Sequence, residues 1–234
     1  MNRKAYKYIF FDLDDTLWDF RTNSGESLRA MYQKYALDKT AGISSVDEFI
    51  FRYQERNIMM WEQYRLGAID KAELRSKRFE LTFWDMGIDS SLVPPGLSED
   101  YLTHMSTRNN LFPHAQETLS YLSGKYSMYI ITNGFPDVQY NKLKNSGISN
   151  YFSAVFTSEH VGYRKPDVNI FLHALQSSGA SAIESIMIGD GLEVDIAGAR
   201  NAGIDQVYFN PLKVPHQHTV THEIQLLSEL RNFL

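Results

Sequence analysis

The sequence predicts an α/β fold, in which a doubly wound, Rossmann-like core with a parallel sheet carries an inserted α-helical cap domain. Three observations predict it. Short apolar runs recur along the chain, and each run ends in a polar cluster. Segments with helical spacing separate most of these runs, which is typical of strands that alternate with helices. The apolar runs are continuous rather than alternating, as in strands that are buried on both faces of a sheet.

Five apolar runs are the predicted strands, and they cover residues 8–11, 128–131, 154–156, 186–188 and 206–209. The helical patterns that predict the core helices cover about 115–123, 137–146, 167–177 and 192–202. In doubly wound sheets, ligands bind at the carboxyl ends of the strands. We therefore expect the polar clusters that follow the apolar runs to form the functional site.

The interval after the first strand has a different character. Residues 19–104 lack strand runs and are predicted to form the helical cap, whereas residues 1–18 and 105–234 form the core. Asp70 lies three residues before Glu73, which is typical of a capping box at the start of a helix. The Pro-Pro-Gly sequence at 94–96 predicts the loop that closes the insertion.

Composition excludes several classes of function. The 234 residues include 23 Lys plus Arg and 28 Asp plus Glu, so the formal net charge is −5 and no basic excess exists to hold a nucleic acid polymer. The chain has no cysteine, which excludes disulfides, thiolate zinc sites and cysteine nucleophiles. No apolar run approaches the roughly 18 residues of a membrane span, and no signal-peptide pattern is visible. We expect a cytoplasmic protein with no membrane partner.

Two acids follow the first predicted strand. Asp12 and Asp14 are two residues apart, so in an extended segment their side chains share a face. Their oxygens suit Mg²⁺. One carboxylate could act as a nucleophile, and the other could protonate a leaving oxygen and later deprotonate a water. The alternative is that the two acids merely end the strand.

The next clusters contain groups that suit a phosphate. Thr132, Asn133 and Gly134 follow the second strand, where a hydroxyl and backbone N–H groups beside a glycine can cradle phosphate oxygens. Lys165 lies in the loop before a predicted helix, where it could neutralise both a phosphate and a nucleophile. Pro166 suits the first turn of that helix. Taken singly, these residues could equally form an ordinary turn and a solvated basic side chain.

Two more acids follow the fourth strand. Asp190 lies where a second carboxylate ligand for a metal is needed. Asp195 falls in the first turn of the next predicted helix, where the helix dipole favours a negative charge and simple capping is the alternative. The four clusters come in order, each at the end of a predicted strand. Such a series is far less expected by chance than any one of its members.

The chain resembles the haloacid dehalogenase superfamily over its whole length. The superfamily pattern is Asp-x-Asp-x-Thr, then Thr or Ser, then Lys, then Gly-Asp-x-x-x-x-Asp. The residues that match it are Asp12, Asp14, Thr16, Thr132, Lys165, Gly189, Asp190 and Asp195. The helical insertion also lies where the superfamily places a cap. The resemblance implies that Asp12 is the nucleophile, that Asp14 is the general acid and base, and that Thr132 and Lys165 bind phosphate.

The resemblance also implies a Mg²⁺ cofactor. Its expected protein ligands are the carboxylates of Asp12 and Asp190 and the backbone carbonyl of Asp14. Asp195 is expected to orient Lys165 or a metal-bound water.

A closer resemblance is to the pyrimidine 5′-nucleotidase group. It rests on the sequences of residues 11–20, 132–135 and 165–167, and on the Asn-x-x-x-Trp-x-x-Tyr-x-x-Gly pattern at 57–67. It implies hydrolysis of a small phosphorylated metabolite, a pyrimidine nucleoside 5′-monophosphate, through an aspartyl phosphate. Sugar phosphates, or another small phosphorylated metabolite, remain alternatives. A 2-haloacid dehalogenase is disfavoured, because that branch typically has an aromatic residue in place of Asp14. A phosphate sensor on the same fold is the non-enzymatic alternative.

Aromatic and amide side chains are the candidates for recognising the rest of the substrate. A base could stack on Trp18 or Trp61, which contributes ~1–3 kcal/mol, although core packing is the alternative for either ring. Asn57 could bind a base edge or sugar, or lie on a solvated helix face. His218 and His222 have the i and i+4 spacing of a helical zinc site, but nothing else supports one. A monomer or a homodimer would both fit.

Overall fold

The computed structural model describes residues 5–234. Its centre is a six-stranded sheet with the order β3-β2-β1-β4-β5-β6, in which every neighbouring pair is parallel. The strands are β1 (Tyr8–Phe11), β2 (Ser127–Thr132), β3 (Ala154–Thr157), β4 (Ser185–Gly189), β5 (Asp205–Phe209) and β6 (His222–Ile224). The predicted α/β fold class is confirmed. The predicted strands match β1 to β5 to within a residue at each end.

The apolar character of β1 follows from its position. It is paired on one side with β2 and on the other with β4, so that Phe10 is in register with both Tyr129 and Met187. Ile9, Phe10 and Phe11 are fully buried. A central parallel strand has no solvated face, which is why its sequence does not alternate between apolar and polar residues.

The contacts divide the chain into two compact units. One holds the residues up to Phe20 together with Asn109–Leu234, and the other holds Arg21–Arg108. The second unit is helical, with α1 (Phe20–Lys34), α2 (Leu37–Thr40), α3 (Val46–Arg65), α4 (Lys71–Asp85) and α5 (Leu97–Ser106). Its interior is an aromatic cluster in which Tyr53 packs on Phe79 and Tyr101, at ring-centroid distances of 4.8 and 5.1 Å.

The start of α4 has the capping box that the sequence predicts. Asp70 Oδ1 accepts from the backbone N–H of Glu73 at 2.8 Å, and Glu73 Oε2 accepts from the N–H of Asp70 at 3.3 Å. Two N–H groups that the helix leaves without a partner are thereby satisfied. Across residues 5–234, no helix combines the length and the apolarity that a membrane span requires.

The sheet-bearing unit contains α6 (Ala115–Ser123), α7 (Pro136–Asn145), α8 (Ser158–Val161), α9 (Val168–Ser178) and α10 (Ala197–Asn201). Two local expectations differ from the structure. The helix predicted over 192–202 is a π-helical turn, Leu192–Ile196, followed by the short α10. Pro166 lies before α9 rather than in its first turn, because Asp167 is the N-cap and accepts from the N–H of Asn169.

The sixth strand was not predicted. Residues 222–224 read His-Glu-Ile, which is too short and too polar to stand out as an apolar run. The strand pairs with β5, where His222 is in register with Val207. The helical spacing proposed for His218 and His222 is therefore wrong, since His222 begins a strand. No group of three metal-binding side chains found in the described part of the chain includes a histidine.

Candidate active site

A tight turn after β1 carries both acids of the first motif. The backbone N–H of Asp12 donates to the carbonyl of Ile188 in β4 at 2.9 Å, which fixes Asp12 at the end of the sheet. Asp15 has a left-handed φ of 59°, a conformation that aspartate tolerates better than most residues. Its N–H donates to the carbonyl of Trp18 at 2.8 Å. The chain thus makes one tight turn directly after Asp14, and Trp18 then runs parallel to Asp14.

Lys165 lies between two carboxylates. Its Nζ donates to Oδ1 of Asp12 at 2.5 Å and to Oδ1 of Asp195 at 2.6 Å, and its side chain is 2% exposed. Burial alone would lower the pKa of Lys165, but the charges and hydrogen bonds of these two carboxylates outweigh it and raise the pKa above its usual value. Lys165 is therefore a permanently charged ammonium beside Asp12.

The loop that carries Lys165 is fixed by Asn133. Asn133 Oδ1 accepts from the backbone N–H of Lys165 at 2.8 Å, and its Nδ2 donates to the carbonyl of Lys165 at 3.0 Å. Both ends of this amide are engaged by the neighbouring loop. The structure thus places Asn133, which the sequence predicts to bind substrate, in contact with the backbone of Lys165.

Asp195 is held from two sides. While its Oδ1 accepts from Lys165, its Oδ2 accepts from the backbone N–H of Gly191 at 3.0 Å. A Cβ on Gly189 would lie 2.5 Å from the side chain of Asp195, so the close approach of Asp195 to the end of β4 requires glycine. Both oxygens of Asp195 serve to position Lys165 and the turn after β4.

Three carboxylates converge beside Lys165. Oxygens of Asp12, Asp190 and Asp195 all lie within 4.8 Å of one another. Burial raises the pKa of Asp12 to about 7, although the Lys165 ammonium acts in the opposite direction. Burial and the charges of Asp12 and Asp195 raise the pKa of Asp190 well above its usual value. The cluster is rich in negative charge and in hard oxygen donors, which is the donor set that fits Mg²⁺.

Asp14 has different partners from Asp12. Its Oδ1 accepts from Nζ of Lys142 at 2.6 Å, and its Oδ2 accepts from Nε2 of Gln139 at 2.8 Å. The same Nε2 lies 2.7 Å from Oγ1 of Thr132, which also accepts from the backbone N–H of Gly134 at 3.0 Å. The predicted acid and base group and the predicted phosphate-binding hydroxyl are thus joined through Gln139.

Gln139 and Lys142 were not predicted from the sequence. They are three residues apart on α7, and both lie on its buried face beside the apolar Val138 and Leu143. Polar side chains on a buried helix face are the signal that could have identified them, since lysine and glutamine are rarely buried without a specific partner.

The predicted substrate contacts have other partners in the structure. Trp18 is fully buried, with Nζ of Lys142 at 4.3 Å from its ring centroid, so its indole packs in the core instead of offering a face to a base. Asn57 is buried in the helical unit, where its Oδ1 accepts from Arg78 at 3.0 Å. Trp61 packs edge-on against Tyr64 with ring centroids 5.6 Å apart.

Known proteins resemble this chain over nearly its full length. Pyrimidine 5′-nucleotidase PynA of Streptococcus pneumoniae is 31% identical over 98% of this chain and 95% of its own. Pyrimidine 5′-nucleotidase YjjG of Escherichia coli is 33% identical over 98% of each chain. A crystal structure of the HAD-hydrolase YfnB from Bacillus subtilis, bound to magnesium, superposes with a TM-score of 0.86 at 28% identity and covers 98% of both chains.

The motifs and the fold also agree with a family model. Residues 6–203 match the model of the haloacid dehalogenase-like hydrolases, and this match includes all four motifs as well as the inserted helices. The chain belongs to the haloacid dehalogenase-like hydrolase family.

Proposed function

We propose that the protein is a Mg²⁺-dependent phosphatase that hydrolyses a pyrimidine nucleoside 5′-monophosphate through an aspartyl phosphate on Asp12. The observation that carries the proposal is the pair of separate carboxylate environments. Asp12 is buried against Lys165 and beside Asp190, whereas Asp14 is held by Lys142 and Gln139. These two environments support Asp12 as the nucleophile and Asp14 as the group that transfers the proton. Similarity to two pyrimidine 5′-nucleotidases supports the substrate class.

The carboxylates of Asp12 and Asp190, with the backbone carbonyl of Asp14, would hold the Mg²⁺. Asp195 is assigned to positioning instead, because its Oδ1 accepts from Lys165 and its Oδ2 from the backbone N–H of Gly191. The ion would supply positive charge that neutralises the phosphate during an in-line displacement. The magnesium-bound structure of YfnB supports this cofactor.

In the first step, a carboxylate oxygen of Asp12 bonds to phosphorus, and the bond between phosphorus and the 5′ oxygen breaks. Asp14 gives its proton to that oxygen, so the nucleoside leaves as an alcohol. Lys165 and Thr132 bind the phosphoryl oxygens. In the second step, a water bonds to phosphorus, its proton passes to Asp14, and the bond to Asp12 breaks. Inorganic phosphate leaves, and both carboxyl groups return to their starting state.

The experiment is a phosphate-release assay on uridine 5′-monophosphate, thymidine 5′-monophosphate and ribose 5-phosphate, with Mg²⁺ and with EDTA. We expect release that requires the metal and is fastest on the two nucleotides. Asp12→Asn serves as the control for contaminating phosphatases, and it should be inactive. Faster release from ribose 5-phosphate would overturn the nucleotide assignment. Release that is equal in Asp12→Asn would overturn the mechanism.

A further inference from the structure

We propose that Lys142 and Gln139 are positioning residues that hold the carboxyl group of Asp14 for proton transfer, and that Gln139 couples this group to the phosphate-binding Thr132. This inference rests on the proposed function and deepens it, because it names the residues that set the geometry of the acid and base. The two side chains approach Asp14 from one face of α7.

Both oxygens of the Asp14 carboxyl group accept hydrogen bonds. Lys142 Nζ donates to Oδ1 at 2.6 Å, and Gln139 Nε2 donates to Oδ2 at 2.8 Å. Two donors on opposite oxygens fix both the position and the rotation of a carboxyl group. Since proton transfer needs the acid within about 2.6–3.2 Å of the leaving oxygen, this orientation is what the reaction requires.

Lys142 is itself buried beside two aromatic rings. Its side chain is 3% exposed, and its ammonium lies 4.3 Å from the ring centroid of Trp18 and 5.6 Å from that of Phe20. Trp18 closes the same turn that presents Asp14, through the hydrogen bond from Asp15 N–H to its carbonyl. The aromatic faces attract the ammonium and exclude water from it. The ammonium group of Lys142 is therefore held in one position beside Asp14.

The stability of the fold does not explain why Lys142 and Gln139 are buried. A buried ion pair often stabilises a fold no more than an apolar pair of the same size would. Gln139 is fully buried, and its Oε1 accepts no hydrogen bond from residues 5–234. Leaving such an acceptor unpaired costs about 1–3 kcal/mol. Lys142 and Gln139 thus add little to the stability of the fold, yet they contact Asp14 and Thr132. Such a pair fits a role in the reaction better than a role in folding.

Gln139 also contacts Thr132. Gln139 Nε2 donates to Thr132 Oγ1 at 2.7 Å as well as to Asp14. A Cβ on Gly134 would collide with the side chain of Gln139, so this glycine leaves room for the amide. One side chain thus sets the separation between the group that binds the phosphoryl oxygens and the group that protonates the leaving oxygen.

The test compares two leaving groups in Lys142→Met and Gln139→Leu, each of which keeps the volume of the side chain and removes the donor. Uridine 5′-monophosphate loses an alkoxide that needs a proton, whereas p-nitrophenyl phosphate loses a phenolate that does not. We expect kcat on the nucleotide to fall by about 10²-fold with little change in KM. The initial burst of nitrophenolate should keep the wild-type rate, while the later steady-state rate falls because the attack of water also needs Asp14.

Lys144→Met is the matched control, because Lys144 is an exposed lysine on the same helix. It should keep wild-type kinetics on both substrates. A loss of the burst in proportion to the loss on the nucleotide would overturn the inference, since it would indicate general damage to the site. Wild-type kinetics in both variants would overturn it as well.

If wild-type protein releases phosphate from neither substrate, the proposed function fails and this inference fails with it. If only the variants depart from expectation, the proposed function stands. Because the two variants remove different partners of Asp14, one of them still decides the matter if the other does not fold.

Discussion

The side chain of Asn133 binds the backbone of Lys165 at both its N–H and its carbonyl, at 2.8 and 3.0 Å. Asn133 follows β2, whereas Lys165 lies in the loop before α9. The side-chain amide of Asn133 thus joins the loop after β2 to the loop before α9. It fixes the backbone from which the Lys165 ammonium reaches Asp12. We therefore expect Asn133 to act through Lys165, whereas the sequence predicts a direct contact with substrate.

Asn133→Ala is expected to lower kcat by ~10²-fold, because a displaced Lys165 no longer faces Asp12. KM should rise as well, because Lys165 also binds the phosphoryl oxygens. The lost pair of hydrogen bonds should also lower the free energy of unfolding by about 1–3 kcal/mol. Steady-state kinetics and urea denaturation measure the two effects. Asn141→Ala, which removes an exposed bond to the carbonyl of Asp137, is the control. A large rise in KM with unchanged kcat would instead indicate that Asn133 binds substrate.

Asp190→Asn is expected to separate metal binding from folding. Without metal, the variant should be more stable than wild type, since one of the three crowded carboxylates becomes neutral. Mg²⁺ should raise the melting temperature of wild type, by the equivalent of about 2.7 kcal/mol at a hundred times its Kd, and should not raise that of the variant. Differential scanning calorimetry measures both. Asp38→Asn, at an exposed position, is the control. Equal stabilisation of both proteins by Mg²⁺ would contradict this ligand assignment.

Gly189→Ala tests the packing of Asp195 against the end of β4. The new Cβ would lie 2.5 Å from Asp195, so this side chain must shift and Lys165 loses one of its two carboxylates. We expect kcat to fall by ~10²-fold and the free energy of unfolding to fall by about 1–3 kcal/mol. Gly124→Ala is the control, because nothing lies near its Cβ position and its φ is −81°. Unchanged kinetics in Gly189→Ala would show that Asp195 is not needed to orient Lys165.

Asp70→Ala tests the capping box of α4. The variant loses the acceptor for the N–H of Glu73, which should cost about 1 kcal/mol. In a chain of this size that corresponds to a fall in melting temperature of ~2–4 °C. Lys77→Met, which removes only the exposed ion pair with Glu73, should have little effect. A larger fall in Lys77→Met than in Asp70→Ala would contradict the capping assignment.

The fold was predictable because its signals are local and repeated. Strand β1 is buried on both faces and reads as four apolar residues, and its two neighbours in the sheet follow the same rule. Strand β6 escaped prediction because His222–Ile224 is paired with β5 on one side only and carries no apolar run. The π-helical turn at Leu192–Ile196 could not be foreseen either, because the same residues satisfy the pattern of an ordinary helix.

The candidate site was predictable where residues follow strand ends, and unpredictable where they depend on side-chain direction. The motif residues Asp12 and Lys165 are 153 positions apart in sequence, yet parallel topology brings both to one edge of the sheet. Lys142 reads as an ordinary helical lysine until its burial is known. Trp18 reads as an aromatic platform until Lys142 is seen over its ring. Direction and burial are set by packing between distant elements, which a single sequence does not encode in its spacing.

The proposed mechanism requires that Asp12 becomes phosphorylated during turnover. Its most direct test is to mix the protein with Mg²⁺ and p-nitrophenyl phosphate, quench in acid within the first turnover, and locate the phosphoryl group by mass spectrometry of the peptide that contains residues 8–21. We expect one phosphoryl group on Asp12 in wild type and none in Asp12→Asn. A wild-type enzyme that releases phosphate with the phosphoryl group on another residue, or with no phosphorylated peptide at all, would contradict it.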